Sequence, residues 1–229
     1  MSKDIIIDQI VDPEVGLISV DKLYRKLRSE GFARNIIDKA MKNMQTYQVN
    51  QSVNPKEYNT IASSFVGDVI QADLMDVSNI SFVNNKVNFL LTFIDVYSRY
   101  VFVEKLKSKS MGEVSSAFEN IIGKFASENI TTDDGSEFNN VKLTAVMKKH
   151  KIKHWITPAY TPNKLAIIER FHRTLRNRMT LYFNYTRKER YVDVLDKLIC
   201  NYNYTYHRTI ETESYKILTE KRLTNKYDI

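Results

Sequence analysis

The sequence contains a single cysteine, Cys200, so it cannot form an internal disulfide bond. This cysteine usage is typical of proteins in reducing, intracellular settings. No apolar run approaches the roughly 18 residues that a membrane-spanning helix needs, and we find no secretory signal pattern or internal repeat. With 43% hydrophobic and 27% charged residues over 229 positions, the chain can form one or two globular domains with a hydrophobic core.

Acidic residues are scarce in one part of the chain. Residues 141–190 contain 13 Lys or Arg and only 2 Asp or Glu, a net charge of +11, whereas the remainder carries a net charge of −4. A cluster of one sign is typical of a surface that binds phosphate groups. The alternative is a solvated basic face that binds no ligand.

The first 50 residues are predicted to be helical. Ser19 can cap the N-terminus of a helix that Gly31 ends, and a second helix follows. The apolar faces consist of Val20, Leu23, Tyr24 and Leu27 in the first helix and of Ile36, Ile37, Ala40, Met41 and Met44 in the second. Two such helices fit a small domain of helix-turn-helix type, and they fit a packing or oligomerisation module equally well.

Polar residues at 51–65 predict a linker, after which the pattern changes. Strands are predicted at 66–74, 87–96, 100–107, 129–133 and 152–156. Helices are predicted around Val114–Phe125, at 138–149, from about Asn163 to Tyr182, and on Val194, Leu195, Leu198, Ile199, Tyr202 and Tyr206.

This order of elements predicts an α/β fold, an RNase H-like core in which a mixed five-stranded sheet has helices on both faces. The predicted domains are a small helical N-terminal domain at 1–50, the linker at 51–65, the core at 66–215 and a C-terminal tail at 216–229.

Three carboxylates have distinctive surroundings. Asp73 lies in the apolar run Val69–Leu74, Asp133 in the segment Thr132–Phe138, and Glu169 in Ile167–Phe171, with 35 residues between Asp133 and Glu169. In this order and at this spacing they resemble the catalytic core of retroviral-type integrases and related transposases, the rve/DDE superfamily. The resemblance covers roughly residues 66–215.

The resemblance implies that Asp73, Asp133 and Glu169 are catalytic and hold two Mg²⁺ ions, for which Mn²⁺ can substitute. Carboxylate oxygens are the ligands that these hard cations prefer, and a metal pair can assist both the attacking and the leaving oxygen of a phosphodiester. Asp134 stands where the family usually has Asn, and the sequence does not exclude it as the ligand. A simple turn role for Asp133 before Gly135 is the other alternative.

Two further aspartates, Asp76 and Asp95, were considered as metal ligands and are not among the candidates. Asp95 matches another phrase of the family, and we expect it to order a turn through Ser98 and Arg99. The family usually has Gly at the position of Ala166 and Asn at the position of His172, so the role of His172 stays open.

Basic residues follow Glu169 along the predicted helix. Arg173 and Arg176 lie at helical spacing from Glu169, and the family places DNA contacts at such positions, which suggests Arg170, Arg173 and Arg176. The alternative for Arg173 is an ion pair with Glu169. Tyr160 and Lys164 lie in a segment that resembles the family's active-site loop, and we expect them to contact the DNA end.

The four histidines exclude one module of retroviral integrases. His150, His154, His172 and His207 all lie beyond residue 149, so an N-terminal zinc site of two His and two Cys cannot form, and no zinc is expected. His207 is expected to be structural. The zinc-free segment Gly16–Tyr24 is similar to integrases of Polinton/Maverick transposons and virophages.

The resemblance therefore implies a DNA integrase that processes the 3′ ends of an element's linear DNA and joins them to target DNA. It would act on both DNAs as a dimer or tetramer, in the host nucleus or a virion. The alternatives are a cut-and-paste DDE transposase or nuclease on the same fold, and a catalytically inactive DNA-binding or architectural protein.

Overall fold

The structure is a computed structural model that describes residues 3–44, 62–157 and 165–219. The chain divides into two compact units. We call Met1–Lys56 with Arg173–Thr205 the helical unit, and Glu57–His172 with Tyr206–Ile229 the sheet unit. Residues 45–61 include most of the predicted linker and lie outside the described residues, so the predicted domain limits stay a prediction.

A mixed five-stranded sheet forms the centre of the sheet unit. Its strands are β1 (Val69–Asp76), β2 (Phe89–Asp95), β3 (Val101–Leu106), β4 (Asn129–Thr132) and β5 (Lys153–Ile156). They lie in the order β3-β2-β1-β4-β5, with β1, β2 and β3 antiparallel and with β4 parallel to both β1 and β5. This arrangement confirms the predicted RNase H-like fold.

The middle strands are buried because neighbouring elements cover them. In β2, every residue after Phe89 is buried, as expected of a strand that is covered on both faces. Aromatic side chains continue the core beyond the sheet: the ring of Phe118 lies 4.6 Å from that of Phe93 and 5.8 Å from that of Phe138. These edge-on contacts are the preferred geometry of buried aromatic pairs.

The helices begin and end where local capping allows. In chain order they are α1 (Lys3–Val11), α2 (Val20–Leu27), α3 (Arg34–Asn43), α4 (Met111–Ile122), α5 (Val141–Lys149), α6 (Ala166–Thr186) and α7 (Leu195–Asn203). Helix α5 begins at Val141, not at 138, because the Asn140 side chain accepts a hydrogen bond from the Leu143 N–H at 3.0 Å. Helix α6 extends past the predicted Tyr182, and Arg187 follows it with a left-handed φ of 57°.

The helical unit confirms the two predicted N-terminal helices and adds α1 before them. Gly31 ends the first predicted helix in the left-handed conformation, with φ of 84°. Leu23, Leu27, Ile37, Ala40 and Met41 are buried, as predicted. The prediction for Ile36 is wrong, because 54% of this residue is exposed.

The predicted last helix is shorter in the structure. It ends at Asn203, and Tyr206–His207 forms a short strand, β6, that pairs with β7 (Thr212–Glu213). Tyr206 therefore does not belong to the helix, because its backbone pairs with that of Glu213. Residues 214–219 are helical.

Among the described residues, no helix has both the length and the apolarity to span a membrane.

Candidate active site

Asp73 lies in the middle of the central strand β1. It faces Thr92 of β2 across the antiparallel pair, and its side chain is 22% exposed. The Thr92 hydroxyl donates a hydrogen bond to the Asp73 backbone carbonyl at 3.0 Å. A carboxylate is thus held at a rigid position that is only partly open to solvent.

Asp133 follows directly after β4, the parallel neighbour of β1. The two strands pair from Val69 with Asn129 to Gln71 with Thr131, and the same offset leads from Asp73 to Asp133. The Asp133 side chain accepts a hydrogen bond from the Gly135 N–H at 3.2 Å, so it also fulfils the turn role that was its alternative. Asp134 is exposed and accepts a hydrogen bond from the Asn139 side chain at 2.9 Å.

Gln71 connects β1 to the start of α6. Its side chain is almost completely buried, with 1% of the residue exposed, and its carbonyl oxygen accepts a hydrogen bond from the Ile168 N–H at 3.0 Å. Ile168 immediately precedes Glu169, and Gln71 lies two residues before Asp73. This single contact brings two segments together that are 97 residues apart. The sequence analysis missed Gln71, although a glutamine in an apolar strand was a signal of a buried polar contact.

The charges of several carboxylates act on Asp73. The pKa of Asp73 is raised to about 7, mainly by burial and then by the negative charges of Asp133, Glu169 and Glu137, in that order, against the effect of a hydrogen bond from the Leu74 N–H. The structure therefore brings the three predicted carboxylates into one electrostatic cluster. Glu137 is a fourth member that the sequence analysis did not include.

Glu137 is located by the turn that follows Asp133. Its carboxyl group and the Asp133 carboxylate both lie close to Gly135, since a Cβ added there would be 2.8 Å from the Glu137 carboxyl and 3.1 Å from Asp133 Oδ1. Lys109 approaches Glu137 from the other side at 4.0 Å. A side chain at position 135 would therefore disturb both acidic residues.

His172 lies between β2 and Asp73. Its Nε2 atom is 2.6 Å from the Thr92 hydroxyl, and its Nδ1 atom is 3.6 Å from the Asp73 carboxylate. Because the Thr92 hydrogen is donated to the Asp73 carbonyl, the Thr92 oxygen accepts from Nε2–H. Thr92 thus contacts both the backbone of Asp73 and the ring of His172, which lies next to the Asp73 carboxylate, an arrangement that the sequence did not reveal.

The remaining candidates were predicted as DNA contacts. Tyr160 and Lys164 lie outside the described residues. Arg170 is exposed near the start of α6, and Arg173 and Arg176 are exposed further along the same helix, where the chain enters the helical unit. The predicted relation of these arginines to Glu169 stays a prediction.

Asp95 and Asp76 have local structural partners. One oxygen of Asp95 accepts hydrogen bonds from the Ser98 N–H at 2.7 Å and the Ser98 hydroxyl at 2.6 Å, and the other accepts from the Gly67 N–H at 2.9 Å. This confirms that Asp95 orders the turn. Asp76 accepts hydrogen bonds from the N–H and the hydroxyl of Ser78.

The carboxylate oxygens of this cluster suit a hard divalent cation, but they do not form a complete set of metal ligands in this structure. Among the described residues, no three Asp, Glu, His or Cys side chains stand close enough together to hold a metal ion. Asp133 and Glu169 are exposed and can therefore change rotamer. The mutual repulsion of the carboxylates at Asp73 is what a divalent cation would relieve.

Residues 66–162 match the integrase core domain family. Among curated proteins, an uncharacterised transposon-derived protein of Caenorhabditis elegans is 36% identical over 132 residues. This match covers 56% of this chain and 44% of that protein. An overlapping stretch of 127 residues, 52% of this chain, is 32% identical to the retrovirus-related Pol polyprotein from transposon RE2 of Arabidopsis thaliana, of which the match covers 8%. The chain thus spans less than half the length of these relatives.

Solved structures support the fold. A chain of the simian T-cell lymphotropic virus intasome, determined by cryo-EM in complex with the PP2A regulatory subunit B56γ, superposes with a TM-score of 0.62 and 15% identity over 87% of this chain and 74% of that chain. The catalytic core domain of BIV integrase superposes with a TM-score of 0.55 and 18% identity over 70% of this chain and 99% of that one. The sheet unit therefore has the RNase H-like fold of integrase catalytic cores.

Proposed function

We propose that this chain is a DNA integrase that uses divalent cations to process 3′ ends and to transfer them to target DNA. One observation carries the proposal: the charges of Asp133 and Glu169 both act on the partly buried Asp73. The same three residues have the sequence surroundings and spacing that resemble an integrase core. An integrase-type core supports the reaction class, and carboxylates whose charges act on Asp73 support a phosphoryl transfer that depends on cations.

In this proposal Asp73, Asp133 and Glu169 hold the cations, with Glu137 nearby. When bound, two such ions supply Lewis acidity to the attacking and leaving oxygens of the phosphodiester. The chain itself positions the carboxylates. Gln71 fixes the backbone next to Glu169, and Thr92 fixes the backbone at Asp73 and positions His172 beside it.

The DNA-binding role of the basic residues is part of the same proposal. The segment 141–190, with a net charge of +11, contains Lys164, Arg170, Arg173 and Arg176. Arginine forms bidentate hydrogen bonds with phosphate, so a helix that carries several arginines suits a DNA backbone. We further propose a dimer or tetramer, in keeping with the intasome to which the fold is similar. The narrower assignment to Polinton/Maverick or virophage elements stays a prediction.

The test is the resolution of a branched DNA that mimics a joined product, which is the reverse of strand transfer. Wild type should rejoin the target strand with Mg²⁺ or Mn²⁺ and not with chelator. Glu169→Gln should lose this activity, while the matched change Glu128→Gln, at an exposed glutamate of the same unit, should retain it. Duplex binding measured in chelator should be similar in all three proteins.

The rival functions predict different products. A nuclease would hydrolyse the branched DNA and leave no rejoined strand. An inactive architectural protein would bind DNA tightly in a salt-sensitive manner and would give no product in any of the three variants. Either result would overturn the integrase proposal.

A further inference from the structure

The helical unit contains a cavity that has no part in the proposed catalytic site. Its volume is about 450 Å³, and it lies between the N-terminal helices and the part of α6 in the same unit. Besides Asp38, the polar residues that line it are Ser19, Lys22, Lys42, Thr174, Asn177 and Arg178. Three of these six are cations, and the other three can donate hydrogen bonds from a hydroxyl or an amide.

Two of the cations, the buried Arg178 and the partly buried Lys22, act on one another electrostatically. Arg178 is only 3% exposed, donates a hydrogen bond to the Leu198 carbonyl at 3.2 Å and lies 5.5 Å above the ring of Tyr202. Burial and, to a smaller extent, the charge of Arg178 lower the pKa of Lys22 to about 8. The charge of Arg178 thus acts against the charge of Lys22 in the folded chain.

The carboxylate that lines the cavity already has a cationic partner. Asp38 lines the cavity but forms an ion pair with Lys42 at 2.8 Å. In the described parts of the chain, no ion pair joins Lys22 or the neighbouring Lys26 to a carboxylate. Lys26 instead donates hydrogen bonds to two neutral acceptors, the Val15 carbonyl and the Asn201 side chain. The positive charge at this cavity is therefore in excess.

The start of α2 adds donors at the same place. Ser19 is its N-cap residue, and its side chain makes no capping hydrogen bond. The first backbone N–H groups of a helix have no partner within the helix and favour negative charge. Here they lie beside the cavity that Lys22 and Arg178 line.

We propose that this cavity binds a phosphate group. A guanidinium, an ammonium and several neutral donors form a typical set of phosphate ligands, and a dianion would offset the repulsion between Lys22 and Arg178. Two sources present this chemistry: a backbone phosphate of bound DNA, and a free phosphate. The proposal concerns the helical unit and does not depend on strand transfer.

Lys22→Gln tests the site, with Lys39→Gln as the matched control. Lys39 is exposed on α3 in the same unit and does not line the cavity. Thermal unfolding is measured with inorganic phosphate and with chloride at equal ionic strength. Phosphate should raise the melting temperature of wild type and Lys39→Gln by about 3 °C and should have no such effect on Lys22→Gln. In chloride, Lys22→Gln should unfold at or above the wild-type temperature, because a repelling charge is gone.

Duplex binding in chelator identifies the source. If the phosphate belongs to DNA, Lys22→Gln should bind about threefold to tenfold more weakly than Lys39→Gln. The slope of log affinity against log salt concentration should also be smaller in Lys22→Gln, by about one phosphate contact. Equal DNA affinity with the phosphate effect lost would assign the site to a free phosphate. An equal phosphate effect in Lys22→Gln and Lys39→Gln would overturn the proposal, whatever the integrase assay gives.

Discussion

The side-chain oxygen of Gln71 accepts a hydrogen bond from the backbone N–H of Ile168 at 3.0 Å. The bond joins the central strand to the first turn of α6, where backbone N–H groups have no partner within the helix. Since Asp73 lies two residues after Gln71 and Glu169 one residue after Ile168, the bond holds the backbone segments of two of the proposed catalytic carboxylates together. Gln71 is thus a positioning residue that touches neither substrate nor cation.

Replacing Gln71 with Met should leave the Ile168 N–H without its buried acceptor. We expect a loss of about 1–3 kcal/mol in the free energy of unfolding. We also expect at least about a tenfold lower rate of strand rejoining, because small displacements of catalytic groups are costly. Urea denaturation and the branched-DNA assay measure the two effects.

Gln9→Met is the matched control for this change. Gln9 is partly buried in α1 of the helical unit, so the same chemical change there should leave the rejoining rate near that of wild type. A Gln71→Met protein with reduced stability and an unchanged maximal rate would contradict the positioning role, because the hydrogen bond would then serve the fold alone.

The raised pKa of Asp73 predicts how stability depends on pH without added cations. The pKa is 3.8 for an ordinary aspartate and about 7 in the folded protein, so the folded state binds more protons between these values. Stability from this group is fully present below about pH 4 and is lost as the pH rises through about 7. We expect the loss to be about 2 kcal/mol, discounted for coupling to Asp133, Glu169, Glu137 and His172.

Asp73→Asn should remove this loss, because asparagine has no proton to release. Urea denaturation in chelator from pH 5 to pH 8 should show wild type losing stability relative to Asp73→Asn. Added Mg²⁺ should restore wild type at pH 8 and have little effect on the variant, since cation binding requires the ionised carboxylate. If the free energy of unfolding changed with pH in parallel in the two proteins, the pKa of Asp73 would not be raised by its surroundings, and the prediction would be wrong.

The sequence contained most of the information about the sheet. Runs of apolar and β-branched residues at Val69–Leu74 and Phe89–Ile94 predicted β1 and β2 to within a few residues, because those strands are buried by packing that such residues favour. The end of the last helix was less predictable. Tyr206 continues the helical spacing of Leu198 and Tyr202, yet its backbone pairs with that of Glu213. This pairing depends on tertiary structure, which the local spacing of apolar residues does not determine.

The candidate site was predicted in part. The positions of Asp73, Asp133 and Glu169 followed from their surroundings and spacing, and the structure brings their charges together. The contacts that hold them could not be predicted, because Gln71 and Ile168 are 97 residues apart and Thr92 and His172 are 80 apart. Glu137 was visible as an acidic residue in the turn, but its effect on Asp73 depends on the fold of that turn.

The central claim is that Asp133, rather than its neighbour Asp134, acts with Asp73 and Glu169 in cation-dependent DNA strand transfer. The most direct test compares Asp133→Asn with Asp134→Asn in the branched-DNA assay with Mn²⁺. These changes are adjacent and isosteric, and each removes one charge. We predict that Asp133→Asn lowers the rejoining rate at least about a hundredfold, as removal of a group that acts in the transition state does, whereas Asp134→Asn stays within about threefold of wild type. A large loss in Asp134→Asn with little loss in Asp133→Asn would contradict the account.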